Sequence, residues 1–354
     1  MILQKLELRN FRSYDHLALE PSNGLNVIEG RNGSGKTNLV EAIYCLSMAR
    51  SWRTYGLAAL VKEGSTYAKI AADLTNGLIR KRVELLFSKT ERRVLVNGKP
   101  IKRLSELSSL TSISLFSPKD VSLFQGGPGD RRNFLDMSIS SKEPRYLDSV
   151  SRYLRLLSER NAVLKESEPN ETQLDACSEL MASECVQIIA SRKRFIDELN
   201  KRLATLGNAL YGSSRGLKIV YRPFVTGVDI KNEALSAFNK AKGSDILHKV
   251  TSVGVHREDF LTLLDGKDVG TYGSQGENRI AAIALKIAPS LIGIDEKPTI
   301  TILDDVYSEL DEEKAKNLSR VLKKIGQTFV TTTNTIVTGA SYIEVLNHNA
   351  IRRN

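Results

Sequence analysis

Gly30-Arg31-Asn32-Gly33-Ser34-Gly35-Lys36-Thr37 matches G-x-x-x-x-G-K-[ST] at every fixed position. The apolar run 25–28 before it reads as a strand that stops at Glu29-Gly30. After it, Leu39, Ile43 and Leu46 recur at helical spacing. Strand, glycine-rich loop and helix are the context this pattern requires, and a chance glycine-rich turn would not carry those flanks. Glycines let the backbone curl so that successive N–H groups point at one anion, and the helix N-terminus adds its positive end. Lys36 is expected to reach the β- and γ-phosphates of a nucleoside triphosphate, and the Thr37 hydroxyl to ligate Mg²⁺.

A second stretch supports that assignment. Thr299-Ile300-Thr301-Ile302-Leu303 is an apolar strand running into Asp304-Asp305. A carboxylate at the end of a buried strand beside a phosphate loop holds the metal, so Asp304 is the expected metal-side residue and Asp305 the one that orients or deprotonates water. A plain acidic turn is the competing reading, since Glu309, Asp311, Glu312 and Glu313 follow. Between the two stretches, Ser274-Gln275-Gly276-Glu277 opens a helix expected to begin near Asn278. A hydroxyl and free N–H groups at a helix start suit a phosphate, although alone they signal only a cap.

The rest of the chain alternates in texture. The segment 2–8 has strand periodicity, and Asn97-Gly98 between extended runs signals a hairpin, because both turn residues take positive φ. Helical spacing runs from Tyr146 to Leu164 and resumes from Leu174 to Leu210 across Pro169-Asn170. Two antiparallel helices are expected, the second near 40 residues or ~60 Å long. From Arg222-Pro223 to Val253 the chain reads as irregular, and 328–333 as a last strand. The expectation is an α/β body with a helical insertion.

Composition narrows the classes. The 354 residues carry 51 Lys and Arg against 41 Asp and Glu, a net +10, with three cysteines scattered at Cys45, Cys177 and Cys185. No disulfide framework, thiolate metal site, signal peptide or membrane span is expected, and the location is expected to be cytoplasmic. Basic doublets recur at 80–82, 92–93, 102–103, 131–132, 152 with 155, and 192–194. They point to a salt-sensitive surface for nucleic-acid phosphates without sequence readout. Arg131, Arg132, Arg192, Lys193 and Arg194 are the DNA-binding candidates, and Arg131 and Arg132 read equally well as braces of the junction between lobes.

The order of phosphate loop, helical insert, Ser-x-Gly-x, acidic strand and Ser308-Glu309-Leu310-Asp311 resembles the ATP-binding cassette ATPases, in the branch that includes the chromosome-maintenance (SMC) heads. Three further stretches are similar to the RecF family. They are Asn10-Phe11-Arg12-Ser13-Tyr14 with Glu41-Ala42-Ile43-Tyr44; Phe116-Ser117-Pro118-Lys119-Asp120 with Gly126-Gly127-Pro128 and Arg131-Arg132-Asn133-Phe134-Leu135-Asp136; and Gly254-Val255-His256-Arg257-Glu258-Asp259. The resemblance implies an α/β ABC-type ATPase head, a mixed and an antiparallel sheet around the P-loop helix, with an inserted helical lobe. Residues 1–115 and 295–354 would form lobe I, and 116–294 lobe II with a helical hairpin near 143–210.

By that resemblance Gly30 to Thr37 and Arg12 bind ATP, Thr37 and Asp304 hold Mg²⁺, and Asp305 is catalytic. Ser274, Gln275, Gly276 and Glu277 would act in trans on a partner's ATP, and Ser308 and Asp311 would lie in the loop crossing a homodimer. The implied activity is a slow, DNA-stimulated, Mg-dependent ATPase of recombinational repair, replication restart and the SOS response. It would bind double-stranded DNA at single-strand gaps, with single-stranded DNA a further partner, and help RecR and RecO load RecA.

Three departures stand out. Glu277 replaces the family's usual glutamine. No glutamine follows Ser117 closely, and Thr331-Thr332-Thr333 stands where transporters place a switch histidine. The last two predict slow hydrolysis and weaken the alternative of a transporter ATPase subunit. A nuclease-fused relative of the overcoming-lysogenization type would need more chain than follows Asp311.

Overall fold

The computed structural model describes residues 1–293, 299–333 and 339–353. From the N-terminus come β1 (Ile2–Phe11), β2 (Tyr14–Leu19), β3 (Leu25–Glu29), α1 (Lys36–Met48), β4 (Ala68–Asn76), β5 (Ile79–Phe87), β6 (Arg92–Val96), β7 (Lys99–Pro100), α2 (Leu104–Leu110) and β8 (Ser112–Phe116). The middle adds α3 (Pro128–Ser140), α4 (Pro144–Val163), α5 (Glu171–Tyr211), β9 (Leu217–Arg222), α6 (Ile230–His248), β10 (Asp259–Leu264), β11 (Lys267–Asp268) and α7 (Val269–Tyr272). The C-terminal part supplies α8 (Gln275–Ile287), β12 (Thr299–Leu303), α9 (Glu312–Leu322), β13 (Thr328–Thr332), β14 (Ser341–Leu346) and β15 (Asn349–Arg353).

Two compact units emerge: Met1–Val121 with Arg202–Arg215 and Ser274–Asn354, and Ser122–Lys201 with Gly216–Gly273. The expected second lobe, 116–294, therefore differs from the second unit observed. The Ser274 stretch and α8 lie in the first unit because α8 buries Ile280, Ile283, Leu285 and Ile287 there, and its Lys286 pairs with Asp120 at 2.7 Å. The expected boundary between 294 and 295 lies outside the described residues.

In the first unit, one sheet runs β2-β1-β4-β5-β6-β7, antiparallel throughout, and the other β15-β14-β3-β13-β12-β8. From β14 to β8 the second sheet is parallel, and its β12 and β13 are buried at every residue, which is why they carry only threonine and apolar residues and no charge. Helix α1 is buried continuously from Leu39 to Ser47, and one core joins it to residues of both sheets. Asn97 (φ 51°) and Gly98 (φ 76°) make the tight turn that pairs Leu95 with Pro100 and Val96 with Lys99. In the parallel sheet, Thr332 pairs with Glu29 and Leu303 with Val330, so β3, β12 and β13 end on one edge. Ligands of open parallel sheets sit at that edge.

The second unit sets the sheet β11-β10-β9 among α3, α4, α6, α7 and most of α5. Helices α4 and α5 are antiparallel: Glu143 meets Ser191, Tyr146 meets Arg192, Arg152 meets Glu184 and Arg160 meets Ser178. Helix α5 has 41 residues, ~60 Å of helix. Helix α6 occupies the stretch expected to be irregular. Only Ala234, Phe238 and Asp245 are buried along its 19 residues, so its apolar period is too thin to see, and its start rests on Asp229 capping the Asn232 N–H at 3.1 Å.

Polar side chains organise this unit's interior. Arg160 and Asp245, both fully buried, pair at 2.8 Å, and Arg160 also donates to Thr251 Oγ1 at 2.8 Å. Arg192, 3% exposed, binds Glu258, Asp136, Tyr146 and the Val255 carbonyl. Gly254 (φ 129°) admits Tyr153: a Cβ there would stand 2.2 Å from the Tyr153 hydroxyl. That hydroxyl donates to His256 Nδ1 (2.8 Å) while Nε2–H donates to the Thr251 carbonyl (3.1 Å). Burial holds the imidazole neutral and pulls its pKa down to about 4.

Two outcomes follow from these buried charges. Asp245→Ala leaves the Arg160 charge unpaired and is expected to cost about 3–5 kcal/mol in urea unfolding, whereas Arg160→Met with Asp245→Leu costs well under that. A double variant as unstable as the single one would refute it. For His256 the unfolded chain binds more protons between pH 6.5 and about 4, so its contribution is complete above pH 6.5 and lost as pH falls through that window. Thermal melts of His256→Asn against the wild type should show the pH dependence flattened there, by up to about 3 kcal/mol.

Candidate nucleotide site

The loop between β3 and α1 is shaped by its glycines. A Cβ on Gly30 would stand 2.5 Å from the Val345 carbonyl oxygen and 2.7 Å from Ser34 Oγ. Gly33 and Gly35 take φ of 80° and 112°, and Tyr14 donates to the Gly35 carbonyl at 3.1 Å. Lys36 Nζ turns back onto the Gly30 and Arg31 carbonyls at 2.6 and 3.0 Å. Burial lowers its pKa, and the charges of Asp305 and Asp304 work the other way. Ser34 Oγ is buried with no hydrogen-bond partner among the described residues, a polar atom left over inside the cradle.

Three strand ends and one helix start converge on Asp304. Its Oδ1 accepts from Thr37 Oγ1 at 3.0 Å and from Thr331 Oγ1 at 2.8 Å, and its backbone N–H donates to Phe116 at 2.9 Å. Burial raises the Asp304 pKa against those two hydroxyl donors. Asp305 sits at φ 49° with its N–H on Thr331 Oγ1 at 2.8 Å and its carboxylate exposed. A non-glycine residue in that left-handed region marks a backbone held by its surroundings.

Helix α8 reaches the same turn. Arg279, 2% exposed, donates to the Asp305 carbonyl at 2.9 Å and to Glu309 at 2.5 Å, while Ser308 Oγ donates to Asp305 at 3.2 Å. At the helix start Ser274 caps the Glu277 N–H at 3.3 Å, and Glu277 returns to the Ser274 N–H at 3.0 Å, a reciprocal box that starts the helix at Gln275 rather than near Asn278. Arg215 binds the other Glu277 oxygen at 2.8 Å, and Glu277 is held below the usual carboxylate range by the Ser274 N–H first and Arg215 next. Glu277 thus has a structural task that a lone negative charge beside a phosphate would not have. Asp311 caps α9 through the Lys314 N–H at 2.8 Å.

Several expected residues lie elsewhere than anticipated. Arg12 forms a fork on Glu41 at 2.9 and 2.6 Å, and Arg53 reaches the same buried carboxylate at 3.1 Å. Glu41 stands one turn after Thr37 as the one charged residue in the otherwise uncharged, buried stretch 39–47, which is the signal that would have exposed this pair of arginines. Arg53, Arg279 and Arg215 were not singled out by sequence, and Thr331 was read only as standing in the place of a switch histidine, not as a partner of Asp304. Of the DNA candidates, Arg192 is corrected: buried in ion pairs, it presents no charge to solvent. Arg131 forks onto Asp259 at 2.7 and 2.8 Å and also holds the Leu123 and Gly126 carbonyls, a brace within its own unit. Arg132 donates to the Glu258 carbonyl at 2.8 Å, Lys193 is half-buried, and Arg194, 59% exposed, pairs with Glu143 at 3.2 Å.

Because Glu277 both closes the cap and neutralises Arg215, Glu277→Ala is expected to cost about 1–2 kcal/mol in thermal melts, and Glu277→Gln less. Equal losses in the two variants would contradict the reciprocal box.

The family model described as RecF/RecN/SMC N terminal domain matches residues 2–349. The DNA replication and repair protein RecF of Bacillus subtilis (strain 168) is 38% identical over 352 residues, spanning 94% of each chain. Its namesake from Geobacillus sp. (strain WCH70) is 35% identical over 369 residues, covering 99% of this chain and 95% of its own. A solved structure of the recombination mediator protein RecF-ATP in the RecFOR pathway superposes with a TM-score of 0.88 at 30% identity, over 99% of both chains. The Smc head domain of Pyrococcus furiosus, 15% identical with a TM-score of 0.62, shares the fold over 99% of this chain and 96% of its own. With matches that run almost from end to end, this chain belongs to the RecF family and has the α/β head fold found in SMC proteins.

Proposed function

We propose that the chain is a slow, Mg-dependent ATPase of DNA repair and replication that pairs head to tail on ATP and binds double-stranded DNA. The observation that carries this is the tie of Thr37 and Thr331 to one oxygen of Asp304, at the edge where β3, β12 and β13 end. Family membership and the ATP-bound relative support the same reading. A threonine hydroxyl and a carboxylate are the hard oxygen donors that Mg²⁺ takes beside substrate phosphates, so the residues fit the ion. When bound, the ion would neutralise charge on the phosphates.

The chain's own residues do the rest. N–H groups of the loop and of α1 would hold phosphate oxygens, and the orphaned Ser34 hydroxyl fits a partner there. Lys36 would exchange the Gly30 and Arg31 carbonyls for phosphate oxygen. Asp305, exposed and with a carboxylate that accepts no hydrogen bond among the described residues, is the group we assign to accept a proton from water. Arg12 would bind the nucleotide itself, its guanidinium being held in place by Glu41, whose carboxylate it shares with Arg53. Slow turnover fits Thr331, whose hydroxyl is committed to Asp304 and supplies no imidazole.

Ser274 to Glu277 would meet the partner's ATP, with Ser308 and Asp311 near the crossing. Glu277 is already bound by Arg215, so it need not repel that phosphate. Hydrolysis would be stimulated by DNA at single-strand gaps, with RecR and RecO cooperating to load RecA and single-stranded DNA a secondary ligand. The transporter-subunit alternative finds no support in the family match.

Sedimentation with ATP and Mg²⁺, with and without duplex, tests the pairing. Wild type should dimerise with ATP, and both Lys36→Met and Ser274→Arg should stay monomeric. Ser274→Arg should still bind nucleotide, and Lys36→Met should bind it at least tenfold more weakly. A wild type that remains monomeric at saturating ATP and DNA would sink the head-to-tail reading.

A further inference from the structure

The second unit contains a half-open cavity of about 240 Å³ that shares no residue with the nucleotide site. Arg132 and Asp136 of α3, Tyr153 and Leu154 of α4, Arg192 of α5 and His256 before β10 line it. Most of the polar groups there are already committed. Asp136 Oδ1 accepts from Tyr146 (2.5 Å) and Arg192 (2.8 Å), and Glu258 accepts from Arg192 (2.6 Å), Tyr221 and the Phe224 N–H (3.1 Å). Tyr153 and His256 satisfy each other, with His256 neutral.

Arg132 is the exception. One of its N–H groups meets the Glu258 carbonyl, and no carboxylate among the described residues pairs with its guanidinium. Arg257, three residues past the Gly254 turn, is exposed and likewise has no carboxylate partner among the described residues. Burial and then the positive charge of Arg192 destabilise the Arg132 cation, with Asp259 and Asp136 working the other way and Arg257 adding a smaller repulsion. Two guanidinium groups, those of Arg132 and Arg192, thus line the opening; Arg192 is neutralised by Asp136 and Glu258, Arg132 has no carboxylate of its own, and Arg257 follows directly after the lining residue His256. Crowding like charges is costly unless an anion completes the cluster.

We propose that this cavity receives a backbone phosphate of nucleic acid, gripped by the guanidinium groups of Arg132 and Arg257, with Leu154 and Val150 against the sugar. The inference rests on the reading of the chain as a DNA-binding protein and says which cations do the binding. A guanidinium fork matches phosphate oxygens in pairs. The volume lies below the roughly 300 Å³ at which pockets begin to enclose whole small ligands, which suits one phosphate and part of a sugar. Arg257 was not among the basic doublets, and Arg131 and Arg192, which were, are bound to Asp259, Asp136 and Glu258 instead.

Fluorescence anisotropy of a labelled 30-base-pair duplex, with ATP and Mg²⁺ at several salt concentrations, tests it. Arg132→Gln and Arg257→Gln should each weaken binding about tenfold and lower the slope of log affinity against log salt by about 1. Lys201→Gln, the same charge change at an exposed residue of α5, should leave the slope within error. Melting curves establish which variants fold, and if Arg132→Gln does not, Arg257→Gln carries the test alone, since that side chain is exposed. Wild-type slope and affinity in Arg257→Gln would overturn the phosphate site while leaving DNA binding intact. A wild type without affinity for duplex would overturn the underlying reading as well. A labelled ten-residue polyglutamate bound by the wild type and lost in the variants, with duplex binding unchanged, would assign the cavity to an acidic protein and also overturn the proposal.

Discussion

One carboxylate oxygen, Asp304 Oδ1, receives hydroxyls from the first turn of α1 and from the interior of β13. That interaction sets the site. It links the loop after β3, the end of β12 and the neighbouring β13, whose register is already fixed by parallel pairing. Burial disfavours the Asp304 charge, and the two hydroxyls return part of what solvent would have supplied. A buried carboxylate so placed is a hard oxygen donor that favours a cation beside it, which is the physical basis of the metal site proposed there.

A second set of constraints radiates from α8. Ser274 and Glu277 define where the helix starts, and Arg279, a little more than one turn further on, ties its body to the backbone of Asp305. A rigid helix thus connects the expected trans-acting residues to the turn that carries the expected water-activating one. The same economy holds at Glu41, where one buried carboxylate holds two arginines next to the loop. Arginine is fitted to such roles because its planar fork retains its charge and offers several donors at once.

The interior of the second unit changes what the net charge of +10 means. Arg131, Arg160 and Arg192 are structural cations, paired with Asp259, Asp245 and both Asp136 and Glu258. Removing one partner from such a pair is costly, since the other charge stays buried. These three cations and their four carboxylates carry no net positive charge, so the pairing does not reduce the surplus; it decides which cations remain to carry it, namely those whose guanidinium groups lack a carboxylate.

Much was legible before any coordinates. The glycine-rich loop, the strand ending in Asp304, the Asn97-Gly98 turn and the long helix after Pro169 each depend on local rules: positive φ, apolar period or strand-end chemistry. Those rules act within a few residues, so residue order alone conveys them. Helix α6 was not legible because too few of its residues face the core to produce a period. Nor could sequence tell that Arg12 forks onto Glu41 and Arg192 is buried, or that Glu277 is bound by Arg215, 62 positions away. A charged side chain has the same letter whether it meets water, a phosphate or a carboxylate. Residue order thus conveyed the local form of the glycine-rich loop and of the strand that ends at Asp304. Only the packed chain decided which cations are already neutralised, because the distance between opposite charges and their removal from water exist only after folding.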